Sequence, residues 1–218
     1  MTKITAEILS WIFLPLFMPV YGLLMAMYIP NNQDYLFNED NLFFLTDKAK
    51  YAILYMFFIF SVLAPSLSFI VLRRMNVITT IDMEDKRERA VPMLIMLVYC
   101  LLLYFLFLYK AQNNILPKYI YALPLSGVFV TVSYALINRW IKISLHAGGA
   151  GILCGFLLAY GAAQAEFSIW TLILAVLASG LTLSARLFLQ KHSPLEVYTG
   201  WGLAMILTFI INFFYPIA

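Results

Sequence analysis

Apolar runs of about twenty residues, separated by short charged segments, dominate this chain and leave it few ways to fold. In hydrocarbon, every backbone N–H and C=O must find a partner inside the protein, which restricts spanning structures to helices and closed barrels. A helix needs roughly 20 apolar residues to cross. Seven stretches reach or approach that length: 9–29, 51–72, 92–109, 118–137, 146–163, 168–189 and 195–214. The fifth is short and glycine-rich, and the sixth carries Arg186 near its end. The expected fold is all-α, a polytopic transmembrane helix bundle of about seven spans, or six if the first or fifth segment does not cross.

Composition agrees. At 63% hydrophobic and 11% charged residues, the chain departs on both counts from soluble domains, which are about half apolar and a quarter charged. Segment 1–10 has one lysine and no small-residue cleavage site, so the first run is read as a retained span. No repeat, low-complexity tract or linker divides the chain, and residues 1–218 are read as a single membrane-embedded domain. Cys100 and Cys154 lie inside apolar runs and are read as packing residues. The net charge of +3 is small, and no basic run is interleaved with stacking aromatics, which argues against nucleic acid as a partner. Membrane lipids are the expected surroundings.

Alternating spans sort the connections onto two faces. One face receives 1–8, 73–91, 138–145 and 190–194; the other receives 30–50, 110–117, 164–167 and the C-terminus. The first collects Lys3, Arg73, Arg74, Lys86, Arg87, Arg89, Arg139, Lys142 and Lys191, against Lys48, Lys50, Lys110 and Lys118 on the second. An excess of Lys and Arg marks the cytoplasmic side of a membrane protein. The loop from Tyr35 and Phe37 to Leu42, Phe43 and Phe44 mixes aromatic and polar residues and is expected at the lipid interface.

The chain has two histidines, and both fall on the cation-rich face at the start of a span. His192 follows Arg186 and precedes Ser193, Pro194 and Glu196. An arginine inside an apolar run is costly and marks a functional site, although a long side chain near a helix end can also snorkel to the interface. Glu196, four residues past His192, can orient the imidazole. It can equally close a capping box with Ser193. His146 sits in a segment containing Ser144, Ala147, Gly148, Gly149 and Gly151. If a helix begins there, its free amides favour a phosphate near Ser144 and His146. The stripe Ala147, Gly151 and Gly155 reads as close helix packing, while Gly148 and Gly149 suit either purpose. A third cluster, Asp82 to Pro92, reads mostly as a solvated charge run. Its Lys86 and Arg89 stand beside a span entrance, where cations can clamp an oxyanion.

These clusters, in this order, resemble the type 2 phosphatidic acid phosphatase superfamily of membrane lipid phosphatases, in a divergent bacterial branch. The family pattern is K-x6-R-P, then P-S-G-H, then S-R-x5-H-x3-D. Arg186, His192 and Glu196 reproduce the third spacing, with Ala185 for serine and Glu196 for aspartate. Ser144 and His146 match the second, with Ile143 and Leu145 for proline and glycine. The first is not reproduced, because Ala90 and Val91 separate Arg89 from Pro92. The resemblance covers about residues 82–205.

The resemblance implies metal-independent hydrolysis of a lipid phosphate or lipid pyrophosphate, with no cofactor, in a bacterial cytoplasmic membrane. His192 would be the nucleophile, Glu196 its orienting partner and His146 the acid and base. Arg186 and Ser144 would bind phosphoryl oxygens, helped by Lys86 and Arg89. Two other readings stand beside it: a degenerate relative that binds phospholipid headgroups or assists assembly, and a heme protein ligated by histidines from two spans.

Overall fold

The computed structural model describes residues 1–30, 40–80, 83, 85–110, 116–164 and 166–216. Among these residues there are eight helices and no strand: α1 (Lys3–Ile12), α2 (Met18–Tyr28), α3 (Asp47–Arg74), α4 (Ala90–Lys110), α5 (Lys118–Ile137), α6 (Leu145–Ala162), α7 (Ile169–Phe188) and α8 (Pro194–Phe214). Six of them, α3 to α8, are long and apolar enough to cross a membrane. The chain is an all-α integral membrane protein.

The first candidate span, 9–29, is not one helix. Pro15 lacks an N–H and disfavours helical geometry at the residue before it, and the chain breaks between Ile12 and Met18. The amphipathic α1 turns Ile4, Ile8, Trp11 and Ile12 outward and buries Ala6 and Ser10. The eleven residues of α2 rise only about 16 Å. They run beside α6, from Met18 at Gly149 to Gly22 at Phe156. Helix α1 therefore lies at the same end of the bundle as the start of α6, while the last turn of α8 meets Lys118 at the other end. The described termini lie at opposite ends of the bundle, with the short α2 between α1 and α3 in the chain.

Helix α3 contains a π-helical stretch, Phe58–Leu63, just before Pro65. A proline leaves a carbonyl one turn back without its usual donor, and a wider turn is one accommodation. At the centre of the bundle, α6 packs on α8 through glycines. A Cβ on Gly151 would strike the Trp201 backbone, and one on Gly155 the Met205 backbone. Small residues let two helix backbones approach closely where lipid supplies no hydrophobic drive.

The far end is tied by polar contacts. Tyr160 Oη donates to Asn41 Oδ1 at 2.8 Å and accepts from the Leu42 N–H at 3.1 Å. The Lys50 ammonium lies 5.1 Å and 5.0 Å from the ring centroids of Tyr28 and Phe43. Leu42 is wholly buried and packs into the bundle, while Phe44 of the same segment stays exposed. Tyr35 and Phe37 fall outside the described residues.

Candidate functional site

Two helix ends pin His192. At the end of α7, Lys191 N–H bonds the Arg186 carbonyl at 3.3 Å and Gln190 N–H bonds the Leu187 carbonyl at 3.0 Å. Gln190 takes the left-handed conformation, φ 53°. This is a Schellman motif with glutamine where glycine is usual. Three residues later the next helix opens on a capping box. Glu196 N–H bonds Ser193 Oγ at 3.4 Å, and Ser193 N–H bonds Glu196 Oε2 at 3.1 Å. The same Oε2 lies 3.0 Å from His192 Nδ1. Both expected roles of Glu196 therefore meet in one oxygen. A carboxylate only accepts, so Nδ1 carries the proton and Nε2 keeps its lone pair.

His146 opens α6 and is 9% exposed; its ring makes a hydrogen bond with the Ser10 backbone. Arg186, Arg89 and His192 all lie near enough to act on it electrostatically. Arg186 is 3% exposed, so its side chain stays inside the bundle rather than reaching the interface. Arg89, 1% exposed, donates through Nε to the Met83 carbonyl at 3.0 Å and through Nη1 to the Ile143 carbonyl at 2.6 Å. It ties the segment before α4 to the segment before α6. Arg89→Ala would leave two buried carbonyls without these partners, at about 1–3 kcal/mol each. The expected result is a clearly lowered thermal midpoint in detergent. A midpoint equal to wild type would show that this brace carries no stability.

Two expected residues stand elsewhere. Ser144 is fully buried, does not line the cavity described below, and caps α6, its Oγ accepting from Ala147 N–H at 3.4 Å. Its own N–H bonds the Glu196 carbonyl at 3.2 Å, joining the two histidine-bearing helix starts. Lys86 is exposed, and its ammonium bonds the Arg139 carbonyl at 3.3 Å, closing the end of α5. Gly148 and Gly149 serve packing, against Tyr134 and Pro15.

His146, His192, Arg89 and Arg186 line one cavity of about 870 Å³, near the upper end of the range for small-molecule sites. Lys3, Glu7 and Trp11 of α1 and Ile70 and Arg73 of α3 line it too, all of them exposed, and they mark its mouth. Away from the histidines the walls turn apolar, through Val130, Gly127, Cys100, Leu103 and Leu123. The cavity thus has a cationic end and a hydrocarbon-like body. Its α1 wall was not legible as such, because the first apolar run reads as continuous; Pro15 was the signal that it is not.

Burial, reinforced by Arg89, Arg186 and Lys142, holds the His192 pKa down to about 4, against the upward pull of Glu196. A buried imidazole among cations stays neutral, the form that can attack an electrophile. Among the described residues, no three His, Cys, Asp or Glu side chains are grouped as metal ligands. No protein-family profile, curated protein or solved structure matches this chain.

Proposed function

We propose that this chain hydrolyses a lipid phosphate or lipid pyrophosphate without a metal, through a phosphohistidine on His192. The supporting observation is a cavity in which His192, its tautomer set by Glu196, shares a wall with His146 and two buried arginines while the opposite end is apolar. In the first step His192 Nε2 attacks phosphorus and the bond to the lipid oxygen breaks. His146, having taken a proton from the entering phosphate monoanion, gives it to that oxygen and the lipid leaves. In the second, His146 takes a proton from water, whose oxygen displaces His192 and releases inorganic phosphate. Arg186, with Arg89 beside it, balances the charge spread over the phosphoryl oxygens, which is most of the work in such transfers. Glu196 steadies the imidazole as its charge develops. Ser144 and Lys86 take no direct part. The proposed setting is a bacterial cytoplasmic membrane.

Phosphate release from a panel of lipid phosphates and pyrophosphates, run in a chelator, tests this reading. Release from at least one is expected; none, or release only after a divalent metal is restored, would overturn it.

The histidine also predicts a pH response. Its folded value of about 4 lies below the ordinary 6.5. The unfolded chain therefore binds more protons between those values, and stability falls as pH drops from about 6.5 to about 4, with no further loss from this group below that. An NMR titration of the His192 imidazole in detergent should show it neutral at pH 6. A midpoint near 6.5 would mean that the ring is solvated.

A further inference from the structure

The cavity continues well past the charged residues. Along α5 its wall runs from Tyr134 through Val130 and Gly127 to Leu123, eleven positions toward the far end, or about 16 Å of helix. It stops there. Phe57, Leu103 and Leu123 line the bottom and are 1%, 3% and 2% exposed. Behind them Phe107 packs on Phe57 with ring centroids 5.6 Å apart, and Ile120 is wholly buried without lining the cavity. Midway, a Cβ on Gly127 would come within 2.8 Å of Cys100 Sγ. Here α4 and α5 pack closely, with no room for a side chain between Gly127 and Cys100, and both residues face the cavity.

We propose that this apolar arm is a chain-length ruler. One hydrocarbon chain of an anionic lipid lies in it, and Phe57, Leu103 and Leu123 set the longest chain that fits. The arm's length, about 16 Å, matches roughly a dozen extended methylenes. Its continuity with the cationic end places the head of that chain beside His192 and Arg186. The identity of the head rests on the phosphatase reading; the ruler itself rests on the shape and apolar lining of the arm.

The test uses alkyl phosphonates, which are not hydrolysed, with a photoreactive diazirine at the chain end and about six or about twelve methylenes. They are irradiated with the full chain in detergent, and the labelled residues are read by mass spectrometry. The long probe is expected to label Phe57, Leu103 or Leu123, and the short probe Val130 or its neighbours nearer the histidines. Gly127→Leu, which fills the middle of the arm, is expected to abolish the deep label and spare the shallow one. If that variant does not fold, the two probes on the wild-type chain decide the matter. Long-probe labels confined to outward-facing residues such as Leu102 and Phe105, or identical sites for both probes, would overturn the ruler. Because no turnover is needed, a deep label without phosphate release from any lipid would sink the phosphatase reading and leave the ruler standing.

Discussion

Replacing His192 with alanine is expected to reduce turnover by on the order of 10⁴-fold or more and to remove any acid-labile phosphoenzyme. The fold should survive the change. The Schellman bonds of Lys191 and Gln190 and the capping bonds of Ser193 and Glu196 use none of the histidine's side-chain atoms except the Nδ1 contact to Glu196. A loss of activity with a near-native thermal midpoint would therefore report the missing nucleophile rather than a misfolded turn. Full activity in His192→Ala would end the phosphatase proposal.

The second large effect is expected at Glu196. Its Oε2 accepts from the Ser193 N–H while holding the histidine's Nδ1. Glutamine can keep the cap, since its amide oxygen still accepts, but it loses the charge that favours the developing imidazolium. Glu196→Gln should thus lower the rate by about 10²-fold or more with little change in stability. Glu196→Ala should show the same rate loss and in addition lower stability by about 1 kcal/mol, as lost caps do. Turnover with saturating substrate and a thermal melt of each variant separate the two roles. Full activity in Glu196→Gln, with only the alanine variant destabilised, would assign the residue to capping alone.

What could be read from the residues follows how local each feature is. The spans, Arg186, His192 and Glu196 were legible because run length and spacings of four to six positions carry them. The capping box was legible for the same reason. The placement of Arg89 was only half legible: its partner carbonyl, Ile143, is 54 positions away, and nothing in the intervening sequence announces the bond. Ser144 looked like an anion ligand because serine before a helix serves as either a cap or a ligand, and only the geometry shows the cap. Lys86 and Arg89 looked equivalent three positions apart, yet one folds inward and the other turns out to close α5. The broken first span failed to register because hydropathy sums over a proline without noticing the lost donor.

The turn that carries His192 has a mechanical corollary. Its backbone is locked to the last turn of α7 on one side and the first turn of α8 on the other. An anchor of this kind gives the imidazole little freedom to follow an arriving molecule. A molecule that reaches the ring must then fit the position the two helix ends have already set, and α1, packed on α7 with its Ser10 backbone bonded to His146, backs that same side of the chamber.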